Sequence, residues 1–346
     1  MEVQNKKREL WVDYIKALAC LSVLTFHVIY GMQNAGLECG QFFVGLKELC
    51  NIFQIPTFLF ASGYLFGRKP MGNYFKFEGR KLLNLGIPYI TFSVVYYVVN
   101  VTFSSSVNFS YTPKDLLNIY VSPIAQYWYI FATILIFLVL PLLEKLIQNE
   151  CMLLIFLVVW KIINTYLISV TNYDYFFSEY AMYFYMGVLY SRHHDALTLK
   201  RDKKGTALVV LAGYVAIFSS FFWFDWGDMF AIMEYFMAIL SIYLLTFVFE
   251  NWEDKLGNAF LRVVAKYSFQ IYLLHTMVTA ATRIVLVKIG IVSQWPQFII
   301  GWILGLSITM LVAFICDKTI VLNIFFFPER TVKQLRERKK AKEQHR

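Results

Sequence analysis

The chain has 346 residues, of which 58% are apolar and 16% are charged, and its mean hydropathy is +0.54. Soluble domains are about 45–50% apolar and about 25% charged, so these values exclude a soluble globular domain, a disordered chain, a coiled coil and a disulfide scaffold. Because one membrane-spanning helix uses roughly 20 apolar residues, the ~200 apolar side chains predict about ten spans. The expected fold is an all-α integral membrane protein with about ten transmembrane helices in one bundle.

Apolar runs place these spans along the chain. The runs lie near residues 12–33, 49–67, 82–104, 126–147, 151–170, 176–191, 206–224, 229–249, 264–286 and 296–325. The first run is too long for the core of a signal peptide and contains charged residues, so it is expected to remain as a membrane helix. The predicted domains are a cytoplasmic N-terminal segment 1–11, a membrane domain 12–325 and a basic cytoplasmic tail 326–346.

Lysine and arginine are distributed unequally between the two sides of these spans. With the N-terminus inside, the inner connections and tail carry 24 of them, and the outer connections carry Lys47, Lys114 and Lys288. Because cytoplasmic connections are enriched in these residues, both termini are predicted to be cytoplasmic. The net charge of +9 then borders lipid headgroups, which favours the bilayer as a partner over nucleic acid.

The first predicted span contains three ionisable residues, Asp13, Lys16 and His27. Such residues are costly in a membrane and usually mark a pathway or a site. At 100° per residue, the eleven steps from Lys16 to His27 return to within about 20° of the starting direction, and Asp13 is an i, i+3 neighbour of Lys16. We expect a polar stripe about 16 Å long. The alternative is a lysine that snorkels to the interface and a histidine that only packs.

A second group of polar residues lies in the ninth predicted span. Ser268, Tyr272 and His275 share one helix face, because they are separated by four and three residues. This pattern is typical of a hydrogen-bonded partner for a catalytic group, and a purely structural Tyr/His pair is the alternative. Three further charged residues are expected to be buried, with partners that the pattern does not assign: Lys161, Glu179 and Glu234.

Arg80 and Lys81 come directly before the third predicted span, and Pro88 follows them. The two cations are suited to bind an anionic headgroup or a phosphorylated cofactor, although ordinary positive-inside residues need no such role. Pro88 is predicted to break or kink the helix. The five cysteines form no CxxC pair, so no disulfide framework and no metal site are predicted.

Several segments together resemble the acyltransferase-3 family of membrane-bound O-acyltransferases that modify cell-surface glycans. The resemblance covers residues 8–325, and within the family the chain most resembles the short bacterial enzymes of the enterobacterial common antigen O-acetyltransferase and intercellular-adhesin O-acyltransferase type. It differs from the family in having Lys16 where an arginine is usual, and Gln126-Tyr127 where a histidine often precedes Leu-Trp. The segments that carry it are Asp13–Ala19 with His27, Ile55–Leu65, Arg80-Lys81 before Pro88-Tyr89, Gln126–Tyr129, Met186-Gly187 and Tyr267–His275.

The resemblance implies a ten-helix enzyme in the inner membrane of a bacterium. It would move a short acyl group, usually acetyl, from cytoplasmic acyl-CoA to a sugar hydroxyl of a cell-surface or lipid-linked glycan. Acyl-CoA is then a co-substrate, and no permanently bound cofactor is expected. The predicted catalytic residues are His27 as general base, with His275 and Tyr272 as positioning groups. The residues expected to attract or orient the donor are Asp13, Lys16, Arg80 and Lys81.

Three alternatives remain open from the sequence. The first concerns the route of the acyl group, which passes either directly to the acceptor or through an acyl-His27 intermediate. A second possibility is an exporter or flippase for a polymeric or lipid-linked glycan, with aromatic residues along the sugar path. The third is a membrane sensor or anchor in which the buried charges only specify helix packing.

Overall fold

The computed structural model describes residues 9–68, 74–104, 110–171, 176–198, 204–224 and 229–344, and within these ranges every regular element is helical. A 3-10 turn, Ala125–Tyr127, precedes α5. The helices are α1 Leu10–Asn34, α2 Gln41–Gly67, α3 Tyr74–Thr102, α4 Pro113–Leu117, α5 Trp128–Leu146, α6 Glu150–Thr171, α7 Phe176–Arg192, α8 His194–Leu197, α9 Lys204–Ser220, α10 Met229–Leu256, α11 Ala259–Lys288, α12 Gln294–Lys318, α13 Ile320–Asn323 and α14 Pro328–Gln344.

Eight of the described helices are long and apolar enough to cross a membrane: α1, α2, α3, α5, α6, α10, α11 and α12. The chain is therefore a multi-pass membrane protein. The two other predicted spans correspond to α7 and α9, which have 17 residues each. At 1.5 Å per residue these helices are about 26 Å long, slightly less than the hydrocarbon core. Ten crossings and the side on which the termini lie stay predictions.

Two sequence expectations about helix ends are wrong. The last predicted span continues to residue 325, but α12 ends at Lys318 because Thr319 adopts extended backbone. The apolar residues that follow form the short helix α13 instead of prolonging the span. At the third span, α3 begins at Tyr74 and continues through Pro88, so Arg80 and Lys81 lie inside the helix. The helix is not broken at Pro88, and a kink there stays a prediction.

The described helices divide into two compact units. The first unit contains the chain up to Val23, Glu48–Arg68 and Tyr183–Ser268. In it, α2 and α7 approach closely at two glycines. A Cβ atom on Gly63 would overlap the carbonyl oxygen of Phe184, and one on Gly187 would overlap the backbone of α2. Small residues permit this approach of two helices in a membrane.

The second unit contains Leu24–Lys47, Lys69–Met182 and Phe269–Arg346. Here α12 packs on α1 and α11 through a Gly-x-x-x-Gly pair. A Cβ atom on Gly301 would lie 3.3 Å from Val28, and one on Gly305 would lie 2.7 Å from Thr279 Cγ2. Trp302 lies between the two glycines, and its indole N–H donates to Thr25 Oγ1 of α1 at 3.0 Å. These contacts hold the later half of α1 beside α11.

The charged residues expected to be buried find partners. In the second unit, Lys161 Nζ lies 2.5 Å from Glu179 Oε1, and the lysine side chain is 2% exposed. The same ammonium donates to the Glu179 carbonyl at 2.8 Å, and Asn164 Nδ2 donates to Glu179 Oε2 at 3.0 Å. In the first unit, Asn51 Nδ2 donates to Glu234 Oε1 at 3.1 Å. Hydrogen bonding of this kind offsets part of the cost of burying charge.

The predicted tail forms a helix over most of its length. α14 begins at Pro328, and its first turn contacts α3. Glu329 accepts from Asn84 Nδ2 at 2.8 Å, and its own backbone N–H donates to Asn84 Oδ1 at 3.1 Å. Arg80 Nε lies 3.4 Å from Glu329 Oε1. Residues 1–8 of the predicted N-terminal segment and residues 345–346 of the tail lie outside the described residues.

Candidate active site

His275 is fully buried in α11, and its tautomer follows from its contacts. Its Nδ1 lies 2.8 Å from the Tyr272 carbonyl oxygen and 3.1 Å from the Ile271 carbonyl oxygen. Because a carbonyl oxygen only accepts hydrogen bonds, Nδ1 carries the hydrogen and Nε2 presents a lone pair. Within the described residues, this buried Nε2 has no hydrogen-bond partner. The helix backbone therefore fixes the ring and leaves one acceptor atom unused.

His27 of α1 packs against this ring. The ring centroids of His27 and His275 are 4.9 Å apart, with an angle of 58° between the planes. Phe26 and Tyr30 contact the His27 ring edge-on, with centroids at 5.1 and 6.4 Å. Both histidines belong to the second unit. The structure thus brings together the two histidines that the sequence selected from different spans.

Tyr272 also lies in this region, and a pair of reciprocal hydrogen bonds occupies its hydroxyl group. Tyr272 donates to the backbone carbonyl of Gln126, while Tyr127 Oη donates to the Leu273 carbonyl at 3.0 Å. The two bonds fasten the 3-10 turn to α11, one turn from His275. The Tyr272 hydroxyl consequently holds the backbone of the 3-10 turn in place. The ring centroids of Tyr272 and His275 are 6.1 Å apart.

The 3-10 turn itself has unusual backbone and an unpaired side chain. Ala125 has φ +48°, a left-handed conformation that costs free energy in a residue other than glycine. Its N–H donates at 3.1 Å to the hydroxyl of Tyr111, whose pKa is raised by burial. The next residue, Gln126, is 4% exposed, and neither atom of its amide has a hydrogen-bond partner in the described part of the chain. The turn thus holds the Gln126 side-chain amide close to α11 without a hydrogen-bond partner among the described residues.

Asp13 and Lys16 lie in the first unit, earlier along the same α1 helix that carries His27. All three side chains are partly buried. The helix is continuous over Leu10–Asn34, and the polar stripe along it stays a prediction. Ser268 does not extend the polar group of α11 towards His275, since its hydroxyl donates to the Ala265 carbonyl at 3.0 Å.

Arg80 and Lys81 both have contacts within the second unit. Arg80 forms the exposed ion pair with Glu329, and such exposed pairs contribute about 0–1 kcal/mol. Lys81 places its ammonium 4.0 Å from the ring centroid of Phe137. An anionic ligand can therefore replace Glu329 as the partner of Arg80 at a small cost in free energy. Binding of the same ligand by Lys81 would require the ammonium to leave the Phe137 ring.

An apolar groove of about 520 Å³ runs beside the histidine pair in the second unit. It begins on α11 two residues after His275 and includes neither histidine. Its walls are almost entirely hydrocarbon, so a lipid or acyl chain fits it better than a sugar does. The lining residues are Val99, Met277, Val278, Ala281, Thr282, Val285, Leu286, Leu304 and Ile308.

A protein-family model matches most of the chain. The model of the acyltransferase-3 family, an acyltransferase domain, matches residues 9–318. The chain belongs to the acyltransferase-3 family. It is thus a transferase that acts with acyl groups, and the match includes both histidines of the pair. No curated protein and no solved structure matches the chain.

Three features of this acyltransferase escape the sequence reasoning. The Gly301-x-x-x-Gly305 pair that holds α12 against α1 and α11 has a recognisable pattern in an apolar helix, which would have revealed it. Arg283 is visible as a cation inside the ninth predicted span, but nothing in the pattern gives its neighbour. The left-handed Ala125 has no sequence signal, because glycine or asparagine is usual at such a position.

Proposed function

We propose that this protein is an O-acyltransferase that moves a short acyl group, most simply acetyl, from cytoplasmic acyl-CoA to a sugar hydroxyl of a cell-surface or lipid-linked polysaccharide. The family supports acyl transfer, and the eight apolar helices support a reaction at a membrane. The proposal includes ten crossings, cytoplasmic termini and the inner membrane of a bacterium. Within the family, we place the chain with the short O-acetyltransferases named above.

The observation that carries the proposal is the contact between His27 and His275. The two rings are in contact, and His275 Nε2 has no partner among the described residues. We infer that in the reacting complex this nitrogen accepts a hydrogen bond from a His27 ring N–H, which leaves the other His27 nitrogen with its lone pair. A neutral imidazole held in one tautomer is suited to act as a general base. We assign this role to His27, and a positioning role to His275 and Tyr272.

In the direct route, His27 takes the proton of the acceptor hydroxyl as its oxygen attacks the thioester carbonyl. The C–O bond forms, the C–S bond breaks, and the departing CoA thiolate receives the proton from His27. The buried amide of Gln126 is a candidate donor to the oxyanion that develops at the carbonyl, since its N–H groups lack partners among the described residues.

The second route passes through an acyl-His27 intermediate. A His27 nitrogen attacks the thioester carbonyl, the C–S bond breaks, and CoA leaves as the thiolate. The acceptor hydroxyl then attacks the acyl-imidazole, the C–N bond breaks, and the hydroxyl proton passes through the released imidazole to the CoA thiolate. The stoichiometry is the same in both routes. A burst of CoA release before glycan is added would favour the covalent route.

The donor is expected to enter from the Lys16 side of α1. Lys16 precedes His27 by eleven residues, or about 16 Å of helix, which an extended pantetheine arm can span. Asp13 would orient Lys16, and Arg80 and Lys81 would attract the CoA phosphates. The exposed pairing of Arg80 with Glu329 makes the arginine the more readily recruited of the two cations.

The experiment that tests the function is mass spectrometry of envelope glycans from cells with the gene deleted, restored, and restored as His27→Ala. We expect a short-acyl mass increment that disappears on deletion and returns with the unchanged gene and with His193→Ala, but not with His27→Ala. His193→Ala is the matched control, because His193 is an exposed histidine in the first unit. Membrane expression of each variant is measured in parallel.

One outcome would contradict the role of His27, and another would contradict acyl transfer itself. Full acylation by a well-expressed His27→Ala variant would remove both routes. Glycan that changes in amount or location without any change in acyl content would favour the exporter. We do not favour that alternative, because the family is an acyltransferase family.

A further inference from the structure

Arg283 is a partly buried cation inside α11, eight residues after His275. A guanidinium within a membrane span is costly unless it has a partner, and it usually marks a site. In the described part of the chain, no carboxylate forms an ion pair with Arg283. The residue therefore carries a positive charge that the acyltransferase mechanism above does not use.

The Arg283 guanidinium lies directly over Gly31 of α1. A Cβ atom on Gly31 would overlap Arg283 Nη1, so only glycine leaves room for the guanidinium in this position. Gly31 follows His27 by four residues, which is one helical turn or about 6 Å. Side chains of a helix lean towards its N-terminus, so the long arginine reaches back from residue 283 towards His275. The charge consequently lies about one turn from the histidine pair.

Aromatic residues border the same place. Tyr96 of α3 lies within electrostatic range of the Arg283 guanidinium. The Tyr96 ring packs edge-on against Tyr111 at 6.1 Å and against Tyr127 at 5.9 Å between centroids. Tyrosine rings and hydroxyls offer both a face for the C–H groups of a pyranose and polar contacts for its hydroxyls. Cation and rings together resemble a subsite for a charged sugar derivative.

The order of residues along α1 separates this charge from the donor. Lys16, His27 and Gly31 follow one another along a single continuous helix. If the CoA phosphates approach from the Lys16 side, as the proposed function requires, Arg283 lies beyond His27 on the other side of the reacting carbonyl. That side is where the acceptor must enter, because its hydroxyl attacks at His27.

We propose that Arg283 binds an anionic group of the acceptor, a carboxylate or a phosphate, and that Gly31 gives the guanidinium its place. A planar guanidinium pairs with two oxygens of such a group at once, which fixes the orientation of the attached sugar. The anion belongs either to an acidic sugar of the glycan or to the phosphate of a lipid carrier. The inference rests on the proposed function for the identity of the ligand as acceptor.

The test measures binding to the purified protein in detergent, using pairs of probes that differ only in charge. The sugar pair is methyl glucuronide and methyl glucoside, and the lipid pair is a polyprenyl phosphate and the corresponding polyprenol. We expect at least one anionic probe to bind at least about tenfold more tightly than its neutral partner, the effect of a charge-assisted hydrogen bond. Which pair shows the difference identifies the source of the anion.

Three variants connect this preference to Arg283. Arg283→Gln should abolish it, and Arg283→Lys should retain part of it because the charge remains while the planar fork is lost. Gly31→Ala should weaken it while the protein stays folded, since the overlapping atom is the far end of a flexible side chain. Gly86→Ala is the matched control, because a Cβ atom at this glycine of α3 meets nothing within 4 Å.

The outcomes separate this inference from the proposed function. Equal binding of charged and neutral probes, or a charge preference that persists unchanged in both Arg283→Gln and Gly31→Ala, overturns the anion site. Because no acyl transfer is measured, that result would leave the general-base role of His27 intact. Charge-selective binding in a protein that never transfers an acyl group would instead retain the anion site and remove its interpretation as an acceptor subsite.

Discussion

Two buried polar pairs of the second unit differ in how completely their hydrogen-bonding capacity is used. Lys161 and Glu179 are joined at 2.5 Å. Lys161 Nζ also donates to the Glu179 carbonyl, and Asn164 Nδ2 donates to the Glu179 carboxylate. His27 and His275 are in ring contact, but the buried Nε2 of His275 has no partner among the described residues. Both pairs join helices that the sequence places in different spans. The Lys161–Glu179 pair is hydrogen-bonded within the protein, whereas His275 Nε2 has no hydrogen-bond partner among the described residues.

The difference separates a structural pair from a catalytic one. An ion pair closed by hydrogen bonds contributes to packing and has little capacity left for a ligand. A buried acceptor without a partner is costly, and it persists where a ligand or a reacting group uses it. This difference is consistent with the proposed function, in which the histidine pair is the reacting centre, although both pairs look alike in the sequence as polar residues in apolar runs.

The largest expected effect on stability comes from breaking the ion pair. Lys161→Met leaves Glu179 buried with one charged partner removed, which should lower the free energy of unfolding by about 3–5 kcal/mol. Denaturant titration of the protein in detergent measures this change. Acyl transfer per folded molecule should stay near that of the unchanged protein, because the pair is not part of the proposed centre.

The double variant Lys161→Met/Glu179→Gln tests whether the loss comes from the stranded charge. The glutamine removes the negative charge and still accepts from Asn164, so most of the lost stability should return. A double variant as unstable as the single one would mean that packing at residue 161, and not charge, sets the cost. A fall in transfer per folded molecule would contradict the structural assignment.

The histidine pair should respond in the opposite way. His275→Asn keeps a side-chain donor near the Tyr272 carbonyl but has no atom at the Nε2 position, so transfer should fall about 100-fold with little change in stability. His275→Gln places an acceptor near that position and should retain more activity than the asparagine variant. Initial rates of acyl transfer and thermal unfolding are measured on the same preparations.

Equal rates for the asparagine and glutamine variants would show that the Nε2 position has no special role. If both variants also unfold at a lower temperature, His275 is a packing residue like the ion pair. The comparison between the two pairs would then fail, and His27 would act without the partner assigned to it.

Sequence reasoning finds the residues of the site because ionisable groups in apolar runs are conspicuous. His27 and His275 are selected from separate spans, and apolar runs correctly predict eight of the membrane helices. Periodicity does not reveal which spans pack together. The contact at 4.9 Å depends on Gly301 and Gly305, which allow α12 to hold α1 and α11 side by side.

The remaining features depend on backbone geometry and on partners distant in the chain. Ala125 adopts φ +48° because Tyr111 and the reciprocal bonds of the 3-10 turn hold it there, and its own side chain gives no indication of this. The end of α12 at Lys318 lies within an apolar run, where composition alone predicts continuation. A local pattern indicates periodicity, but it does not specify contacts made by residues far apart in sequence.

The smallest expected effect concerns a third polar pair, the solvent-exposed capping box of α4. Thr112 N–H and Oγ1 each donate at 2.7 Å to Asp115 Oδ2, and the backbone bond first and the hydroxyl second hold the pKa of Asp115 below its ordinary value of 3.8. A carboxylate with a lowered pKa stabilises the folded state above its unfolded pKa and loses this contribution as the pH falls through the folded value. Hydrogen exchange in residues 110–120, corrected for the intrinsic rate, should therefore increase only below about pH 3.8.

Asp115→Asn removes the titrating group and should make this exchange independent of pH over the same range. The expected change is confined to α4, because water replaces the lost hydrogen bonds at an exposed site and the histidine pair is not involved. A change in exchange that extends to α11, or one that survives in Asp115→Asn, would mean that another group titrates. The capping box would then resemble neither the Lys161–Glu179 pair nor the His27–His275 pair, because the charge of Asp115 would have no measurable effect on the fold.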